Sequence, residues 1–120
     1  MHELSIALGI VDIATRTCAE AGATQVESIT LEIGTLAGVQ MDALLFVWPS
    51  AVENTVLQHA ERIIEQPQGE AICLECSTTF PMQKQFDACP NCQSYFKEVL
   101  RGKELNVRSM ALTVPDTHPG

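Results

Sequence analysis

Two cysteine pairs constrain this chain more than any other feature: CLEC at 73–76 and CPNC at 89–92, spaced as Cys73-x2-Cys76-x12-Cys89-x2-Cys92. Each pair turns the backbone so that two thiolates face one point, and two such turns close a tetrahedron around a cation. The intervening segment is slightly short for this pattern, yet it is long enough for a hairpin, with Phe80 and Phe86 expected to pack beside the site. Structural Zn(II) is the leading reading. Four protein ligands leave no open position for an activated water, so the site is read as non-catalytic. A rubredoxin-type iron centre uses the same four thiolates and stays open on ligand type alone. A thioredoxin-like redox motif fits less well, since it has one CxxC in a βαβ setting. The fifth cysteine, Cys18, falls on an apolar helical face and reads as a small buried hydrophobe.

The flanking segments supply the rest of the fold. Leu4, Ala7, Leu8, Val11, Ala14 and Cys18 recur at helical spacing, a second row of Ile6, Ile10 and Ile13 widens the apolar arc, and Gly22 follows as a C-terminal cap. Ile29, Leu31 and Ile33 then alternate with Ser28, Thr30 and Glu32 as on a strand with one wet face. From Met41 to Val52 the pattern is helical again, with Leu44, Leu45, Trp48 and Val52 on one side. Pro49 removes a backbone donor there, which predicts a kink or break near Trp48, and Asn54 is placed to end the helix in the left-handed conformation. AERIIEQPQGEAIC reads as a strand interrupted at Pro67 and Gly69. KELNVRSMALTV is the last strand; its inward set switches from Leu105 and Val107 to Met110 and Leu112, which predicts a bulge near Ser109.

The resulting expectation is an α+β fold: a mixed sheet of about three strands with two helices, plus an inserted zinc-ribbon-like module. Residues 1–70 and 102–114 form the α+β body, 71–101 the metal module, and 115–120 a disordered tail.

Charge narrows the partners. The formal net charge is −8, and four thiolates around one Zn(II) would add two further negative charges. Nucleic acid and anionic membrane are therefore disfavoured, and no local basic patch offsets the excess. No apolar run reaches the roughly 18–20 residues that span a bilayer, and MHELSIALGIVDIATRT lacks the basic start and cleavage site of a signal peptide. A cytoplasmic protein is expected.

The opening MHELS carries a second chemistry. A free amine at Met1, the amide nitrogen of His2 and its imidazole form one continuous chelate with three nitrogens in a plane. That set suits Ni(II) or Cu(II), and Glu3 can complete it through its amide or carboxylate. On MHE alone the plain alternative, a solvated histidine near a terminus, stays open. His59 reads as surface at a helix end, and His118 lies in the tail.

MHELS at the start, GTLAGV at 34–39 and the four paired cysteines, in that order and at about that spacing, resemble the HypA/HybF family of hydrogenase nickel-incorporation proteins. The resemblance runs from Met1 to about Val114. It departs at Pro49, within the expected second helix, and at Gln93, where many zinc knuckles carry glycine. It implies a metallochaperone without catalytic turnover. Such a protein holds Ni(II) at its N-terminus through Met1, His2 and Glu3, and keeps structural Zn(II) on Cys73, Cys76, Cys89 and Cys92. It also implies delivery to the precursor of the [NiFe] hydrogenase large subunit together with a nickel-insertion GTPase; a homodimer and a urease target are left open. The alternative is a zinc-ribbon adaptor that binds nucleic acid or a transcription-associated protein, followed by an electron carrier with iron on the four cysteines.

Overall fold

The computed structural model describes residues 2–115; Met1 and residues 116–120, and with them His118 and most of the expected tail, lie outside the described residues. The elements run α1 (Glu3–Ala21), β1 (Gln25–Ile33), α2 (Met41–Val52), β2 (Glu61–Glu65), β3 (Gly69–Cys73), β4 (Thr79–Met82), β5 (Lys97–Arg101) and β6 (Leu105–Thr113). They form two three-stranded sheets, ordered β2-β1-β6 and β4-β3-β5. The chain makes two compact units: Met1–Leu31 with Gln40–Ile63 and Val107–Gly120, and Glu32–Val39 with Ile64–Asn106.

In the first unit α1 ends at Gly22, whose left-handed φ of 67° returns its N–H to the Ala19 carbonyl. Its buried row is Ala7, Ile10, Ala14 and Cys18. This corrects the expected face: Leu4 and Leu8 are each 49% exposed. Two fully buried alanines explain the rotation, since small side chains let a neighbour approach closely, and α1 packs on α2. β1 alternates as read, with Val26, Ile29, Leu31 and Ile33 all buried.

The expected break at Trp48 does not occur. α2 runs without interruption to Val52 with Pro49 inside it. Proline removes one bond, to the Leu45 carbonyl. Leu45 is on the wetter side, 38% exposed, and buried Leu44, Trp48, Ala51 and Val52 hold the helix in place. The Arg62 guanidinium lies over the Trp48 ring, 5.6 Å from its centroid. Beyond the helix Asn54 adopts φ 62°, as its position predicts, and its N–H bonds Gln58 Oε1 at 3.1 Å.

The first sheet is mixed, as flanking bonds show. Thr24 N–H donates to Thr113 at one end of β1, and Gly34 N–H donates to Glu104 at the other, so β6 runs antiparallel. Val26 N–H to Val56 and Thr35 N–H to Pro67 place β2 parallel to β1. In β6 the half-buried positions step from Val107 to Met110 and Leu112, the expected change of inward set, whereas Leu105 is exposed. The expected interruption falls at residues 66–68, around Pro67, while Gly69 is already the first residue of β3; the strands on either side, β2 and β3, join different sheets.

In the second unit β3 pairs antiparallel with both β4 and β5. Its core is Leu36, Ala71, Cys73, Phe80, Met82 and Cys89. Leu36 comes from the GTLAG segment, which threads in on close backbone approaches: a Cβ on Gly34 would strike the Gly102 carbonyl, and one on Gly69 would lie 2.5 Å from Met82 O. Leu36 N–H donates to Gly102 O at 2.7 Å, and Gly69 N–H to Thr35 Oγ1 at 3.1 Å. Phe80 is buried as expected, but Phe86 is 83% exposed. The turn that puts it outside is closed by Asp87 Oδ2, which accepts from the N–H groups of Gln83 and Lys84. Among the described residues no helix is long and apolar enough to cross a membrane.

Candidate metal centre

Two like turns bring the cysteines together. In the first, Cys73 N–H donates to Thr78 O and Ser77 N–H returns to Cys73 O, at 2.8 and 2.9 Å. In the second, Cys89 N–H donates to Ser94 O and Gln93 N–H returns to Cys89 O, at 2.9 and 2.8 Å. Ser77 and Gln93 take the left-handed conformation, φ 64° and 67°, that usually selects glycine.

The sulfurs of Cys73, Cys76, Cys89 and Cys92 all lie within 4.8 Å of one another. Cys73 and Cys92 are 3.5 Å apart, and Cys76 and Cys89 3.6 Å. These are not disulfide distances, which are about 2.05 Å. A tetrahedron with metal–sulfur bonds of about 2.3 Å has edges of about 3.8 Å, so the set is close to what a four-thiolate ion needs. Among the described residues it is the group of metal-binding side chains positioned to hold an ion. Cys73 and Cys89 are buried in the core, Cys76 is half-buried and Cys92 is exposed.

The ionisation of the cluster is uneven. The Thr78 hydroxyl and then the Asn91 amide stabilise the Cys76 thiolate and bring its pKa down to about 5. At Cys92 the Ser94 N–H favours the anion, but the Cys73 sulfur, desolvation and the other two sulfurs outweigh it, and the thiol is pushed up to about 12. Four adjacent sulfurs cannot all be anionic without a cation. A metal ion would supply that charge, and because the four cysteines would fill every position of a tetrahedral ion, such a centre would be structural and not a site of turnover.

The N-terminal candidates are described from residue 2. His2 is exposed and stands at the N-cap of α1 with φ −88° and ψ 98°; its carbonyl accepts from Ile6 N–H, and its side chain makes no capping bond. Glu3 Oε2 accepts from Gln40 N–H at 3.1 Å, which joins the starts of the two helices and holds this carboxyl below its ordinary range. Met1 lies outside the described residues. Cys18 is buried on α1 apart from the cluster, and His59 is exposed.

Three contributors were missed from sequence. Thr78 and Asn91 bond Cys76, and Leu36 closes the core under the cysteines. A polar residue inside CPNC and another just after CLEC were the available signals for the first two; nothing local marked Leu36.

Comparison with known proteins places this geometry. Residues 1–112 match the model of a family described as hydrogenase/urease nickel incorporation, metallochaperone, hypA. The chain is 43% identical over 112 residues to the hydrogenase maturation factor HypA of Parabacteroides distasonis, covering 93% of this chain and 97% of that protein. It is 38% identical over 112 residues to the protein of the same description from Prosthecochloris aestuarii, covering 93% and 99%. Its fold is similar to the solution structure of the Ni metallochaperone HypA from Helicobacter pylori, with a TM-score of 0.69 at 20% identity over 96% of this chain and all of that one.

Proposed function

The chain belongs to the HypA family of hydrogenase/urease nickel-incorporation metallochaperones, and from that premise we propose that it holds Ni(II) at its N-terminus and passes it to the precursor of the [NiFe] hydrogenase large subunit. The work is carriage, not turnover. The proposed ligands are the Met1 amine, the His2 amide and imidazole, and Glu3.

The observation that carries this reading is the exposed, uncapped His2 at the start of α1. The first N–H groups of a helix have no intrahelical acceptor, so coordination through the amides of residues 2 and 3 breaks no helical bond. The Glu3 carboxylate is engaged by Gln40 N–H, which favours its amide as the fourth in-plane donor.

The four cysteines hold Zn(II) in this proposal and keep the second unit folded, since binding and folding of so small a module are one process. A nickel-insertion GTPase and the hydrogenase precursor are the proposed partners, in the cytoplasm.

Nickel titration of untagged protein tests the first part. Tight binding is expected, lost in His2→Ala and on blocking the α-amine, with zinc content unchanged. Nickel has to displace protons from the amine and the imidazole, so affinity is expected to fall as pH falls. Full affinity in His2→Ala would overturn the N-terminal site.

A further inference from the structure

The backbones of the two cysteine turns match, bond for bond, yet their side chains do not. Beside the backbone N–H that each receives from Thr78 or Ser94, the sulfurs of Cys76 and Cys92 have different surroundings. Thr78 Oγ1 is 3.2 Å from Cys76 Sγ, and Asn91 Nδ2 reaches across from the other turn to the same sulfur at 3.6 Å. Asn91 Nδ2 is also 3.4 Å from Thr78 Oγ1, so the three groups form a closed triangle.

Among the described residues nothing equivalent serves Cys92. The residue in the place of Thr78 is Ser94, whose Oγ accepts from Phe96 N–H at 3.0 Å. The residue in the place of Asn91 is Glu75, and a carboxylate has no N–H to give a thiolate. Cys92 is also the exposed member of the four, while Cys73 and Cys89 are each 1% exposed.

We propose that Asn91 and Thr78 form a clamp across the metal that makes Cys76 the last ligand to detach, leaving Cys92 as the edge through which the ion exchanges. The inference rests on the reading of the four cysteines as a metal centre. Donors aimed at a thiolate hold its charge in place and lower its reactivity toward protons and electrophiles, and loss of such outer contacts typically costs about 10–100-fold in metal affinity.

The test uses the full chain loaded with Zn(II), briefly alkylated with limiting iodoacetamide and read residue by residue by mass spectrometry, alongside the visible spectrum of the Co(II)-substituted protein. Cys92 should be modified first and Cys76 much later. Asn91→Ala should speed modification of Cys76 and transfer of zinc to a chelator about tenfold, and move the thiolate-to-cobalt charge-transfer band to longer wavelength. Thr78→Val, which keeps the side-chain shape without the hydroxyl, should do the same, whereas Thr78→Ser should restore parental behaviour. A parent in which Cys76 reacts as early as Cys92, or variants with unmoved band and rates, would overturn the clamp while the metal centre stands. A parent without a tetrahedral cobalt–thiolate spectrum would overturn the metal reading itself, and the clamp with it.

Discussion

Replacing Leu36 by alanine should weaken metal binding although Leu36 is not a ligand. Its side chain is 5% exposed and sits in one core with Cys73, Cys89, Ala71, Phe80 and Met82. Truncation removes three carbons, about 2.4 kcal/mol at roughly 0.8 per methyl or methylene. A cavity contribution adds to this, because the walls include backbone: a Cβ on Gly69 would lie 2.6 Å from Leu36 Cδ1, and one on Gly102 3.1 Å. Peptide planes pinned by the Leu36 N–H to Gly102 O bond collapse poorly, so a total of about 3–4 kcal/mol is expected, inside the usual range of about 2–5 for Leu→Ala. If an ion on the four cysteines is what keeps this unit folded, as proposed, the loss should emerge as metal affinity, lower by about two to three powers of ten. Competition with a chromophoric chelator reads that quantity directly. Helix content from α1 and α2 should be nearly unchanged. Parental zinc affinity in Leu36→Ala would refute the reasoning and show that GTLAG is a covering loop and no part of the core.

Three further outcomes are expected. Gln93→Gly should stabilise the metal-loaded unit by about 0.5–1 kcal/mol, the balance between relief of a left-handed φ and a more flexible unfolded chain, read as a higher urea midpoint; a lower midpoint would contradict the strain argument. Pro49→Ala gives the Leu45 carbonyl its missing donor in a helix that already runs to Val52, so thermal unfolding should gain about 1–3 kcal/mol, and a destabilised variant would show that the proline ring packs favourably. On acidification the sign follows from Cys76: its folded pKa is depressed from the ordinary 9.0 to about 5, so its contribution is present above the ordinary value and lost as pH falls through about 5. In metal-free protein the Cys76 thiolate, read from its rate of alkylation against pH, should therefore persist at about pH 7 and be lost around about pH 5, and a Cys76 already protonated near about pH 7 would contradict it.

How much was legible in the sequence depended on how far apart the cooperating residues lie. The CxxC turns and the alternation of β1 are set by residues within a few positions of one another, and both were readable. The Leu36 contact joins position 36 to 71, 73, 80, 82 and 89, and no local pattern announces it. The face of α1 failed for a different reason: apolar residues cover more of the helix than its neighbour can, so periodicity located an arc but not its centre, which the small Ala7 and Ala14 determine. Phe86 reads as core by type and is expelled by the Asp87 turn. Gln93 shows the intermediate case, because its departure from glycine was visible while its consequence, φ 67°, needed the fold. The proposed MHE chelate lies at the other extreme, since three consecutive residues supply its donors and tertiary structure adds only a helix start whose first N–H groups have no intrahelical acceptor. A ligand set of that kind is readable as chemistry before any fold is known, and by the same logic it should survive changes in the second unit that empty the cysteine site.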